Sequence, residues 1–340
     1  MLREIWVIAA KEFRDSITSR RFLIVLAILT IISLLGIISG LNNYNTILNS
    51  YKGVTGSTDY QVMADQVRQQ ITIAEASNAS AEEISNLKAQ LAAMLNPTMP
   101  SVLLIFDSLN SNITFIGMVL AISVGFDLIS KEIEEGSLKM LLSHPVHRDS
   151  IITGKIIGAI LLLLTVLAVI YAMTIATMLI YGIVPIPDDI ARIAVSLFIA
   201  LLYLTLFLTI AVATSTLTRN SSTSILTALG IAFLVMAIPV VANFIVEING
   251  GTVADYGSAT AYNSVQGIVN DMIFKSAPAD NFGSISRILF LESADNGMNE
   301  PTSSILQILL SMVNNIIVFI VEIALVLFVI YKKFMRVDIN

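Results

Sequence analysis

No cysteine occurs in the 340 residues, and there are only two histidines and one tryptophan. Without thiols the chain has no disulfide scaffold, no thiol nucleophile and no Cys-based zinc or iron–sulfur site. Their absence is neutral about redox compartment, because such a chain suits either side of a membrane. His144 and His147 stand three apart beside Pro145. No cysteine or further histidine completes the three or four ligands a metal needs, so no metal is expected. Phosphate-loop (G-x-x-x-x-G-K-[ST]), H-E-x-x-H and G-x-S-x-G motifs are all missing. The chain is therefore expected to carry no catalytic residues of those kinds, to bind no cofactor itself, and not to be an enzyme. Charge is scarce as well. Asp, Glu, Lys and Arg make up 13%, against about a quarter in a soluble domain. What is present is 56% hydrophobic, with a mean hydropathy of +0.83, and it is gathered into long runs. A water-soluble globule, a disordered chain and a nucleic-acid binder are excluded.

Crossing about 30 Å of hydrocarbon takes roughly 20 mostly apolar residues as helix, since a helix satisfies its own backbone. Six stretches qualify: Phe22–Leu41, Ile113–Ile129, Ile156–Ile183, Ile193–Leu217, Ile225–Val246 and Ile305–Ile330. The second is the weakest, and its start falls anywhere from Val102 to Ile113. The expected fold is an all-α, polytopic membrane protein with both termini on one side. The first span is longer than a typical signal-peptide core and is not followed by a small-residue cleavage site. Residues 1–21, 130–155, 218–224 and 331–340 then hold 13 of the 19 lysines and arginines. The longer segments 42–112, 184–192 and 247–304 hold the other 6, with 15 of the 25 acids and a net charge of −9. Positive charge marks the cytoplasmic side, so both termini are expected there, in a multi-pass protein of the plasma membrane. The overall charge of −6 belongs to the outer loops and does not indicate a basic partner in the cytosol.

Ahead of the first span, Leu2, Trp6, Ala9, Phe13 and Ile17 recur at helical spacing while Arg3, Lys11, Arg14 and Asp15 fall mostly elsewhere. Residues 1–21 read as an amphipathic helix in the cytoplasmic interface, with Trp6 at headgroup level, the alternative being a plain basic flank that only sets topology. Outside, 42–112 shows two helical stripes: Tyr60, Met63, Val67, Ile71 and Ala74, then Ile84, Leu87, Leu91 and Met94 or Leu95. Ser80 with Glu83 is a capping-box pattern between them, and Pro97 and Pro100 end the second. An extracytoplasmic helical hairpin follows. Segment 247–304 is Gly-, Asn- and Ser-rich, with scattered apolar positions that include Ile285, Ile288 and Phe290, and reads as weak helices and loops. Gly36–Gly40 and Gly154–Gly158 are small-xxx-small pairs that allow close helix approach. Pro239 is expected to kink the fifth span.

Within the spans there is essentially one ionisable residue, Glu322. Ser311, Asn315 and Glu322 share one face of the last helix. A charge at that depth is expensive, so this face is expected either to line a translocation path or to hold a protonated carboxyl across a helix interface. A secondary transporter would normally show more such groups, or interrupted helices.

The most informative segment is FDLISKEIEEGSLKMLLSHPVHRDSIITGKIIGA, Phe126–Ala159. An acidic stretch, Glu132, Glu134 and Glu135, runs to Gly136. A short amphipathic helix follows with Leu138, Met140, Leu141 and Leu142, Pro145 stops it, and a basic turn leads to Lys155. Exposed leucines on a short helix between two spans call for a partner or the lipid interface to cover them. The segment resembles the signature of type-2 ABC transporter permeases, the exporter class. Its acidic Glu-x-x-x-Gly-[ST]-Leu-x-x-Leu-Leu, Pro-Val-x-Arg and Gly-Lys elements correspond to Glu132, Gly136, Ser137, Leu138, Leu141, Leu142, Pro145, Val146, Arg148, Gly154 and Lys155. KEFRDSITSRRFL, Lys11–Leu23, is similar to the family's interfacial helix entering its first span.

The resemblance implies a transmembrane subunit of an ATP-driven exporter, in which two separate ATPase subunits hold ATP and Mg and a second permease copy completes a homodimer. It implies a coupling helix at about Glu132–Ser143, with Leu138, Leu141 and Leu142 in an ATPase groove and Glu132, Glu135 and Arg148 at its polar rim. The long external segments depart from compact polysaccharide-type members and leave the substrate open. Two other expectations compete. One is a mechanotransmission protein that acts on an external partner, for which a hairpin of at most about 20–30 Å is short. The other is a secondary transporter that uses Glu322.

Overall fold

A computed structural model describes residues 2–56, 60–76, 84, 87–88, 91, 101–136, 147–218, 220–248, 276–290 and 305–334. Among these residues there is no strand, and six helices are long and apolar enough to cross a membrane. The elements are α1 (Leu2–Ile17), α2 (Arg20–Gly56), α3 (Tyr60–Ala76), α4 (Leu104–Asn112), a π-helical turn (Ile113–Gly117), α5 (Met118–Gly125), α6 (Ser130–Glu134), α7 (Arg148–Ile180), α8 (Pro187–Leu217), α9 (Ser221–Ile248), α10 (Pro278–Phe290) and α11 (Ile305–Phe334). The second span is composite, running through α4, the π turn, α5 and α6 as Leu104–Glu134. α2 continues unbroken past the apolar run to Gly56, about 55 Å at 1.5 Å per residue, so its last turns extend beyond the hydrocarbon.

α8 is the hub, packing against α5, α7, α9, α10 and α11. Its faces are apolar nearly all round, with Ile199, Tyr203, Leu204, Phe207, Leu208 and Ala211 buried, which is the pattern of a helix enclosed by others. α2, α9 and α11 are much more exposed, as peripheral spans whose apolar sides meet lipid would be. Glycines set the closest approaches. A Cβ on Gly40 would come within 3.0 Å of Ile105 Cα, and one on Gly36 would collide with Asn112 Nδ2, so α2 lies directly on α4.

Segment 276–290 is where the sequence said least. Asn281, Phe282, Ile285, Ser286, Leu289 and Phe290 are buried, a stripe of helical period that starts after Pro278 at the first helical position. α10 packs among α4, α8 and α11, with Phe282 stacked on Tyr203 at 4.8 Å between ring centroids. On α3, Val67, Ile71 and Ala74 of the first stripe are buried, while the side chains of Tyr60 and Met63 lie outside the described residues. Most of the second arm lies outside the described residues, though Lys88 pairs with Glu75 of α3 at 2.8 Å. α9 stays helical through Pro239.

Candidate functional site

α1, α6, the α8–α9 turn and the last turn of α11 gather at one end of the bundle. α1 is a three-sided helix. Ile5, Ile8, Ala9 and Glu12 meet α7, where a Cβ on Gly154 would lie 2.8 Å from Ile8 Cβ and one on Gly158 2.7 Å from the Ala9 carbonyl. The Gly154–Gly158 pair is thus the seat of α1. Trp6 is 59% exposed on another side, near half-buried Phe13 and Ile17, and Arg3, Lys11 and Arg14 occupy the third.

Between the two seating glycines projects Lys155, with its side chain 6% exposed. Its Nζ lies 3.0 Å from Glu12 Oε2 of α1 and 2.9 Å from Glu132 Oε1 of α6. One ammonium therefore joins three elements. Removing one member of such a buried pair typically costs about 3–5 kcal/mol, because the partner keeps its charge without compensation.

Two residues on, Glu134 faces the opposite flank of α6, since successive helical residues turn by about 100°. Its carboxylate accepts the Ser221 hydroxyl at 2.7 Å and the Ser221 backbone N–H at 3.1 Å. Acidic charge at the start of α9 also suits the helix dipole. Ser215 of α8 secures the entrance to α6, its Oγ accepting the N–H groups of Ile129 at 3.0 Å and Ser130 at 2.9 Å. Ser130 Oγ lies 3.2 Å from Ser221 Oγ. Asn220 caps α9, its Oδ1 accepting the Ser222 N–H at 2.8 Å.

Glu135 is exposed, and Gly136 follows in the left-handed region with φ +71°. Only glycine adopts that conformation without strain, so it marks a joint between α6 and the loop. Leu138, Leu141, Leu142 and Pro145 lie outside the described residues, as does the side chain of Arg148, which opens α7. The structure thus turns Glu132 inward onto Lys155 and leaves Glu135 outward. It does not bring those two together.

The second candidate face divides. Ser311 is exposed, and its hydroxyl donates to its own Ile308 carbonyl at 2.7 Å. Asn315 is buried, and its backbone carbonyl accepts the Asn281 amide of α10 at 3.0 Å. Glu322 is half-buried, with Oε2 enclosed and without a hydrogen-bond partner among the described residues. The three share a helix edge but form no joint network.

Sequence reasoning missed a polar cluster in the core. Tyr171 OH donates to Asn110 Oδ1 at 2.9 Å, and Asn110 Nδ2 donates to Ser196 Oγ and Ser286 Oγ, both at 3.0 Å. Arg192, 2% exposed, binds Asp188 at 2.7 Å and the Leu289 carbonyl at 3.2 Å. Together they fasten α10 to α4, α7 and α8. The one available signal was Arg192 four residues after Asp188, a helical ion-pair spacing.

Among the described residues no cluster of His, Asp and Glu has the makings of a metal site. No curated protein matches the chain. The sequence profile of one family, the ABC-2 family transporter proteins, matches residues 6–339. With six membrane-crossing helices, no strand among the described residues, and that profile over nearly the whole length, this chain belongs to the ABC-2 family and is a permease-type membrane subunit of an ABC transporter.

Proposed function

We propose that this chain is the membrane-spanning subunit of an ATP-driven exporter, working as a homodimer with two separate ATPase subunits that hold the ATP and Mg. The end that carries α1, α6 and the 137–146 loop faces the cytoplasm of a plasma-membrane protein, in line with the excess of Lys and Arg there. The single observation that supports this best is the fastening of α6, the root of that loop, to three spans through Lys155, Ser215 and Ser221. A loop rooted in this way passes force into the bundle instead of flexing on its own. Nucleotide does work on such a subunit when the closed ATPase pair binds one of its conformations better than the other. The leucines at 138, 141 and 142 would seat in the ATPase, with Glu135 and Arg148 at the rim.

The test is purification of the tagged chain in mild detergent from its native membrane. A stoichiometric subunit with a phosphate-binding loop should co-purify, and Leu138→Asp or Leu141→Asp should remove it while the permease stays folded. An intact chain that purifies alone would overturn the proposal.

A second reading draws on one observation, the half-buried carboxyl of Glu322 with an oxygen that finds no partner among the described residues. Such a group inside a membrane is a default site for protons or cations. If Glu322 drives transport by itself, Glu322→Gln abolishes uptake or efflux and nucleotide is irrelevant. In the exporter reading that variant retains ATP dependence.

A further inference from the structure

α6 is five residues long, yet it is held on both flanks by different partners. On one flank Glu132 meets Lys155, which seats α1 on α7. On the other Glu134 holds Ser221, the first residue of α9, at the turn where α8 ends. The two acids are two residues apart and so point in nearly opposite directions. At its C-terminal end α6 breaks at Gly136, whose positive φ makes a swivel toward the loop.

We propose that Glu132 and Glu134 are positioning residues that divide one movement of the 137–146 loop between two sets of helices. The Glu132 arm carries α1 and α7, acting through Lys155. The Glu134 arm carries α9, acting through Ser221. Neither acid contacts the ATPase in this scheme. The inference rests on the ATP-driven reading above and adds how the force is distributed. The two arms differ physically. The Lys155 arm is enclosed and ionic, so it is rigid and all-or-none. The Ser221 arm is a solvent-exposed pair of hydrogen bonds, so it is the one that a single substitution releases without leaving a buried charge.

The absence of cysteine allows a direct test on the full complex with its co-purifying ATPase in lipid nanodiscs. Ser130→Cys and Ser221→Cys replace hydroxyl oxygens 3.2 Å apart, close enough for a disulfide, and Glu134→Ala is added to release the arm, since a glutamine would still accept the residue-221 N–H. Hydrogen exchange is read along α7 and α9 with and without Mg·ATP. In the parent, nucleotide should alter exchange in both helices. In the reduced triple variant the α9 response should be lost and the α7 response kept. On oxidation the disulfide replaces the arm, and the α9 response should return in the same polypeptide. Persistence of the α9 response under reduction, or its failure to return on oxidation, would overturn the division into arms while leaving the exporter reading intact. A parent complex without any nucleotide hydrolysis would overturn both.

The reciprocal variant, Glu12→Gln, Glu132→Gln and Lys155→Met together, neutralises the enclosed node without stranding a charge. It should silence α7 and spare α9. Loss of both responses there would show that α6 acts as one undivided block.

Discussion

Lys155 occupies a position where two carboxylates converge and little water enters. Lys155→Met would leave Glu12 and Glu132 facing one another without a cation, at a cost of about 3–5 kcal/mol. Neutralising all three should recover most of that, because charge and countercharge leave together. Thermal unfolding in detergent distinguishes the two variants: the single change should melt well below the parent and the triple close to it. Equal melting would mean that the node adds nothing to stability. The flanking glycines make a separate demand. Any side chain at Gly158 meets the backbone carbonyl of Ala9, an atom that cannot step aside without lifting α1 off its seat. The GxxxG spacing was visible in the sequence. Its partner was not, because α1 and Gly158 lie far apart in the chain and nothing local ties them.

At the scale of elements, α10 behaves as a wedge held by polar catches. Asn281 reaches the Asn315 carbonyl, Ser286 takes the Asn110 amide and the Leu289 carbonyl takes Arg192. A cation at the C-terminal carbonyls also complements the helix dipole. Arg192→Met should orphan the Leu289 carbonyl, a loss of about 1–3 kcal/mol for a buried acceptor. Amide exchange in Pro278–Phe290 should then rise roughly tenfold or more, with α7 unchanged. No rise would show that packing around Phe282 and Phe290 alone retains the helix. Apolar run length made the six spans legible, since bilayer thickness imposes it from outside. α10 was hidden for the converse reason. It is too short to cross, and its buried stripe mixes Asn281 and Ser286 with Phe282 and Ile285, so only neighbours already in place make the stripe look like a core. For α1 the expected stripe is shared between two surfaces: Ala9 faces α7, while Trp6 stays exposed. The leucine-bearing loop, read from sequence, lies outside the described residues.

For the whole molecule, the distribution of charge predicts a definite orientation. A single cysteine placed at Val184, exposed in the turn between α7 and α8, should react with a membrane-impermeant maleimide on intact cells. One at His147, at the opposite end of α7, should react only after permeabilisation. The reverse pattern would invert the proposed topology and put the loop outside, away from any cytoplasmic ATPase. The hub position of α8 adds a mechanical expectation. A helix that touches α5, α7, α9, α10 and α11 cannot shift without disturbing most of the bundle.

The seat of α1 also constrains how the protein is made. α1 leaves the ribosome before its seat does, and Gly154 and Gly158 emerge roughly 140 residues later, about ten to thirty seconds at ordinary rates of synthesis. For that interval α1 is without the α7 face that seats Ile8 and Ala9, and Glu12 waits without its lysine. If the exposed Trp6 edge sits in the headgroups, it would hold α1 in place until α7 enters and the groove closes over it.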